Sequence, residues 1–311
     1  MVLGFVGRTL VRDWRNYADN PIRLDWHWGS VLGSAALVVL TYGLLVELWR
    51  RILAEWGAGM AFGDAVRIWC VSNLGKYVPG KVWQIVAMGQ LARRVDVPAA
   101  AAAGSAILNT VANIGVGFAI GVALGFRALN DLTGGRATLS IGFTLAVICG
   151  VLLLPMMLPR LIAVAERATG KRPELGVLPI RAVYLALAGN VIAWLLYGVA
   201  FQLLVYGVLG HAPGAWTAYV SVYALSYVIG YLVFFTPGGI GTREAVQTSG
   251  LASLGLVTNP KEALAVAVVS RLSLTVLEIL PGLFYLTREA ALARRSSGSS
   301  APQPPRHGPN P

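Results

Sequence analysis

Residues Val183–Leu209 read VYLALAGNVIAWLLYGVAFQLLVYGVL, without one charged side chain. A helix crossing the ~30 Å hydrocarbon core of a bilayer needs about 20 apolar residues, and this run exceeds that. The apolar character is continuous rather than alternating, which argues against spanning strands. The same reading extends outward to Gly29–Trp49, Val97–Phe126, Thr138–Leu158 and Trp216–Thr236, where only Glu47 intrudes, near an end. A sixth stretch, Glu262–Leu286, contains Arg271 and Glu278. Two weaker ones, Phe62–Ala92 and Pro237–Leu256, are interrupted by Pro-Gly and carry charge. The expected fold class is all-α, a polytopic integral membrane helical bundle.

Composition agrees. The chain has 311 residues, 56% apolar and 13% charged, with a mean hydropathy of +0.65. Soluble domains carry about 25% charged residues. The net charge of +11 does not call for nucleic acid, because most of it lies between apolar runs, where it sets topology or meets anionic lipid. Cys70 and Cys149 are far apart and offer neither a disulfide framework nor metal spacing. His27, His211 and His307 are scattered. No metal, no cofactor and no His-based catalytic centre are expected.

Arg and Lys predict the orientation. The segment Pro159–Arg181 holds Arg160, Arg167, Lys171, Arg172 and Arg181 and reads as cytoplasmic. Both termini are basic and read the same way. Parity then asks for an even number of crossings, and counting both interrupted stretches gives eight, with Arg50 and Arg51 left outside. Three regions follow: a cytoplasmic amphipathic segment over residues 1–28, with Phe5–Tyr17 on the membrane surface and no cleavable leader; a transmembrane domain over 29–286; and a basic tail over 287–311, rich in Ser, Pro and Gly, expected to be disordered.

In Val97–Phe126, Ser105, Asn109, Asn113, Gly117, Gly121 and Gly125 recur every four residues and share one helix face. Small residues at this spacing let helices approach closely. The two asparagines belong either to that interface or to a polar cavity. Gly29 and Gly33 repeat the spacing in the first span.

The interrupted segments carry the functional reading. The first, Asn73–Gln84 (NLGKYVPGKVWQ), imitates a nucleotide-binding loop with Gly75 and Gly80-Lys81. It fails as one, because Val82 stands where Ser or Thr would hold magnesium and Pro79 lacks a needed N–H. The second, Phe234–Glu244 (FFTPGGIGTRE), places Pro237, Gly238, Gly239 and Gly241 where a helix must break. Thr242 is then expected to cap a new helix, whose start favours an anion. Arg243 sits there as a bidentate phosphate ligand, with Glu244 as its ion-pair partner or as a contact for a proton or headgroup amine. A pair of Gly/Pro-broken hydrophobic segments in two halves of a chain points to a transporter substrate site. The alternative is that each Pro-Gly marks an ordinary turn.

The charges within the apolar stretches fit a site. Lys76, Lys81, Arg243 and Arg271 are the cations, and Glu244 and Glu278 the anions. A charge at the centre of a spanning helix costs about 2.5–3.5 kcal/mol on insertion scales, so such groups face a cavity or each other. Arg271 and Glu278 lie about two turns apart on one face, so each is expected to find a partner on another helix. Cations outnumber anions, which favours an anionic ligand such as a lipid phosphate. The candidate substrate-binding set is Lys76, Pro79, Gly80, Lys81, Asn109, Asn113, Pro237, Gly238, Gly239, Gly241, Arg243, Glu244, Arg271 and Glu278.

At NLGKYVPGKVWQ and TPGGIGTRE the sequence resembles the lysylphosphatidylglycerol synthase transmembrane region family, also called flippase-like domain proteins. The resemblance covers about Trp26 to Leu286. It places Pro79 and Gly80 in one signature region and Pro237, Gly238, Gly239, Gly241, Arg243 and Glu244 in the other, and it matches Arg271 to a recurrent arginine of the last helices. It implies a multi-pass bacterial plasma-membrane protein that moves a lipid between leaflets. The best-known members carry an aminoacyl-transferase domain, for which the residues after Leu286 leave no room. The resemblance therefore implies a short, non-enzymatic form, associated with anionic lipid or polyprenyl-phosphate-linked envelope precursors. A docking subunit for lipid- or glycan-assembly enzymes, meeting an envelope-biosynthesis partner through Arg160–Arg181, is the competing function. A membrane enzyme ranks below both, because no carboxylate pair or His base is suitably placed.

Overall fold

The computed structural model describes residues 24–77, 83–125, 138–147, 149–150, 153, 179–233 and 239–298. Among them the chain is helical and contains no strand. In order, the helices are α1 (Trp28–Glu55), α2 (Phe62–Asn73) with a 3-10 turn (Leu74–Tyr77), α3 (Trp83–Arg93) and α4 (Ala99–Leu124). Then come α5 (Thr138–Val147), α6 (Ile180–Leu209), α7 (Trp216–Leu232), α8 (Thr242–Ser253) and α9 (Pro260–Gly298). Four are long and apolar enough to cross a membrane: α1, α4, α6 and the Pro260–Arg288 part of α9. The helix α5 is apolar and occupies the first part of the expected span Thr138–Leu158.

The long helices set the two ends of the bundle. α1 and α6 run antiparallel: the His27 N–H donates to Gly207 O at 2.8 Å, Ser34 Oγ donates to Ala200 O at 2.7 Å, and a Cβ on Gly189 would strike Leu48. α4 runs parallel to α6, with Asn113 beside Asn190 and Gly117 against Trp194. The start of α1, the end of α4 and the end of α6 therefore share one end. The end of α1 and the starts of α4 and α6 share the other.

No described helix of either interrupted stretch is long enough to cross by itself. α2 and α3, of 12 and 11 residues, are about 18 and 17 Å long, well short of a ~30 Å core. They double back on each other. Gln84 Nε2 donates to Asn73 Oδ1 at 3.2 Å, a Cβ on Gly75 would lie 2.8 Å from Gln84 N, and Ala65 and Ile68 share a buried cluster with Met88 and Ala92. Both arms rest at the end where α1 finishes, since Trp49, Leu53 and Ala102 join the same cluster.

α7 and α8 form a second hairpin from the opposite end. Gly230 faces Arg243, Val222 faces Gly250 and Leu256 faces Gly214, a register that fixes the arms antiparallel. Gly239 at φ +74° and Gly241 at φ +86° occupy the left-handed region that only glycine enters without strain, and they steer the chain into α8. The expectation of eight crossings is not confirmed: four described helices are long and apolar enough to cross, while the described parts of Phe62–Ala92, Trp216–Thr236 and Pro237–Leu256 form shorter helices paired antiparallel. Between Trp28 and Arg288 the chain passes from one end to the other, not back to the same end, so even parity does not hold for the described residues.

The stripe on α4 is a packing seam. Trp49 Nε1 donates to Ser105 Oγ at 3.0 Å, and Ser221 Oγ of α7 donates to Gly121 O at 2.7 Å. A Cβ on Gly121 or Gly125 would collide with Leu225 or Ser221. Gly29 and Gly33 do not repeat this role, since nothing lies within 4 Å of a Cβ at either. α9 continues to Gly298, because Thr287–Arg295 is mostly Ala, Leu, Glu and Arg, strong helix formers. The amphipathic stretch Phe5–Tyr17, the loop 159–178 and residues 299–311 lie outside the described residues.

Candidate substrate site

The described residues nearest the turns of the two hairpins meet α9 around a cavity of about 130 Å³. Its walls come from both hairpins and all four long helices: Tyr42 and Leu45 of α1, Trp69, Asn73 and Lys76 of the first hairpin with Gln84, Asn109 and Asn113 of α4, Trp194 and Tyr197 of α6, Tyr223, Tyr227 and Tyr231 of α7, Arg243 of α8, and Arg271 and Glu278 of α9. Six expected site residues, Lys76, Asn109, Asn113, Arg243, Arg271 and Glu278, are thus brought together. Pro79, Gly80, Lys81, Pro237 and Gly238 lie outside the described residues. Gly239 and Gly241 shape the turn into α8 and are not in the cavity wall.

The ionic groups sort into pairs between elements. Glu278, buried, accepts from Tyr42 Oη, from Tyr77 Oη at 2.7 Å and from Lys76 Nζ. Every oxygen of this carboxylate is therefore engaged, which is what a charge removed from water requires. Glu244 Oε1 lies 3.6 Å from Arg271 Nε, while its Oε2 accepts the Gly241 N–H at 2.6 Å. Two expectations change here. Glu244 partners Arg271, not Arg243. The cap of α8 is Gly241, not Thr242, which is the first helical residue, and Glu244 at the third position reaches back to accept the cap N–H.

Arg243 is 3% exposed, yet among the described residues no carboxylate forms an ion pair with it. Its guanidinium lies over the rings of Tyr223 and Tyr227, with centroids at 4.8 and 5.2 Å. Such cation–π contacts are worth about 2 kcal/mol or more when desolvated. Nε and Nη2 are buried without a hydrogen-bond partner. These two nitrogens share one edge of the guanidinium, the fork that binds two oxygens of one phosphate or carboxylate side by side. Trp69, also in the wall, has a buried Nε1 without an acceptor. Gln247 Nε2, one turn beyond Arg243, is likewise buried and unpartnered. The unfilled groups at this place are mostly donors, so the arrangement suits an acceptor-rich anion.

The asparagines serve both expected roles. Asn113 Nδ2 donates to Asn190 Oδ1 at 2.7 Å, and Asn190 Nδ2 donates to Asn109 Oδ1 at 3.0 Å, which joins α4 to α6 while both α4 residues line the cavity. Sequence reading missed Asn190 and the aromatic wall. A signal was present for the latter: Tyr219, Tyr223, Tyr227 and Tyr231 recur every four residues on α7, the same periodicity noted on α4. Among the described residues no group of His, Cys, Asp and Glu is placed to hold a metal.

None of the curated proteins compared with the chain matches it. A family model does. It begins at residue 2, ahead of the Trp26 at which the resemblance was read, and ends four residues past Glu278. The match to the lysylphosphatidylglycerol synthase TM region, over residues 2–282, takes in all the cavity-lining residues named above, and the chain belongs to that family.

Proposed function

We propose that this protein moves an anionic lipid, a phospholipid or a polyprenyl-phosphate-linked envelope precursor, between the leaflets of a bacterial plasma membrane. The observation that carries the reading is the buried fork of Arg243, unfilled at the meeting point of two broken segments. Phosphate sits on that fork while acyl or prenyl chains remain in the bilayer. In this reading the protein acts as a carrier rather than a catalyst. The hairpins entering from opposite ends support the reading, since a substrate site between discontinuous helices at mid-membrane is the common plan of transporters. The end bearing Arg50, Arg51, Arg93, Arg94, Arg181 and Arg288 is the cytoplasmic one by the positive-inside rule. This arrangement removes the charge conflict of the eight-crossing count, which left Arg50 and Arg51 outside.

The test is a transbilayer movement assay in liposomes with labelled phosphatidylglycerol and a polyprenyl phosphate, run with wild type and Arg243→Ala. Wild type is expected to move one of these lipids and the variant to lose at least nine-tenths of the rate. Equal movement and equal lipid binding by the variant would remove Arg243 from the site. The competing docking function rests on Arg160–Arg181, most of which lies outside the described residues.

A further inference from the structure

A second cavity, of about 50 Å³, lies beside the first, between α1, α6 and α9. Tyr197, Tyr223 and Leu274 line both, so the two share a wall. Their chemistry differs, because no charged side chain lines the second. Its base is Phe201 and Leu204 of α6, both buried, and its sides are the buried Ser34 and Val38 of α1 and Ser270 and Leu274 of α9. Val31 and Ala35 of α1 and Ser273 and Leu277 of α9 are partly buried and form the lips of a slot. Outside the lips both helices present exposed apolar residues, Leu32 and Val39 on α1 and Leu272 and Val276 on α9, a surface that the core of a bilayer covers with hydrocarbon. α1 and α9 run parallel here, since Tyr42 reaches Glu278 while 31–38 face 270–277. The slot lies about 5–15 Å from the first turn of α1, in the half of the bundle away from the arginine-rich end.

We infer that this slot holds a hydrocarbon chain of the lipid whose head occupies the neighbouring cavity, so that the chain leaves sideways between α1 and α9 in the external half of the membrane. This rests on the lipid-carrier reading and adds the path of the chain. Small residues between spanning helices ordinarily let backbones close on each other, as they do along α4. Ser34, Ala35, Ser270 and Ser273 border a cavity instead. A cavity lined by carbon forfeits dispersion contacts on that side unless something fills it, and the material at these lips is hydrocarbon. The Ser34 hydroxyl is already committed to Ala200 O and calls for no polar ligand. Tyr223 links the two spaces: the Arg243 guanidinium lies 4.8 Å from its ring centroid, and the same residue lines the slot. A head group on Arg243 is thus one residue away from a charge-free exit for its chain.

The experiment uses liposomes of phosphatidylglycerol and, separately, of a polyprenyl phosphate, each probe carrying a diazirine within its hydrocarbon. Cross-links are mapped by mass spectrometry, and lipid movement is measured for wild type, Ala35→Phe and Ser273→Phe at the lips, and Val39→Phe and Leu272→Phe outside them, each with its unfolding midpoint. Cross-links of the lipid that moves should concentrate on residues 31–38 and 270–277. Both lip variants should move it at least tenfold more slowly with an unchanged midpoint, and the outer variants within about twofold of wild type. Undiminished movement in both lip variants overturns the slot while leaving lipid movement intact. Cross-links spread evenly over exposed faces, including Ile107 and Val111 of α4, overturn it in favour of ordinary surrounding lipid. A dimer of wild type that the lip variants abolish overturns it in favour of a second copy. Wild type that moves neither probe overturns the carrier reading beneath it, a distinct result, and the cross-link map then still decides whether a chain lies in the slot.

Discussion

At the scale of single residues, the sharpest contrast in the cavity is between two buried charges. Glu278 is saturated by three donors, and Arg243 keeps its fork unfilled. The first is structural in character. Removing one member of a buried ion pair costs about 3–5 kcal/mol because the other is stranded. Lys76 retains 22% side-chain exposure, so Glu278→Gln should cost about 3 kcal/mol, at the lower end of that range. A lower thermal unfolding midpoint in detergent is the expected result, with most of the loss recovered in Lys76→Met/Glu278→Leu. A single variant as stable as wild type would show the pair to be dispensable. Sequence alone placed Arg271 and Glu278 correctly as residues needing partners elsewhere, because seven residues on a helix leave two charges aligned but out of reach. It could not name the partners. Glu244 follows Arg243 in the chain, but adjacent residues on a helix point in directions about 100° apart, and the side chain turned instead to Arg271 and the Gly241 amide.

At the scale of elements, the small residues of α4 and α1 look alike in the sequence and differ in the fold. A Cβ at Gly117 would sit 2.6 Å from the Trp194 ring, so Gly117→Ala should force α4 and α6 apart at a cost of about 1–3 kcal/mol. Gly33 has nothing within 4 Å, and Gly33→Ala should gain about 0.5–1 kcal/mol from helix propensity alone. Opposite shifts of the unfolding midpoint check the pair, and equal shifts would contradict the seam. The long spans were legible because apolar length and scarcity of charge suffice to define them: α1, α4 and α6 begin and end within a few residues of the nearly charge-free runs, apart from the continuation of α1 past its last apolar turn, and α9 follows the long run Glu262–Leu286 despite Arg271 and Glu278. The hairpins were not legible as hairpins. A break at Pro-Gly reads the same whether the chain continues forward or reverses, and the choice is made by contacts between the arms, such as Asn73 with Gln84 and Gly230 with Arg243.

At the scale of the whole molecule, the reversal of both hairpins changes which surfaces face which side. Single cysteines in place of Arg50 and Arg94, at the end of α1 and just past the first hairpin, should be labelled from one side of the membrane by an impermeant maleimide. A cysteine in place of Lys261, at the start of α9, should be labelled only from the other. Labelling of all three from one side would refute the arrangement. The charge rule that orients helices was available from the start, yet it works on loops, and the loops could be assigned only once the reversals were known. The ion pairs have a mechanical consequence. Lys76 on the first tip is tied to Glu278, and Glu244 on the second to Arg271, and both anchors are on one helix, α9, about two turns apart. A tip that swings by itself loads one tie. A slide or rotation of α9 loads both at once, so this helix is a shared strut through which a displacement at either face of the membrane is felt at the other.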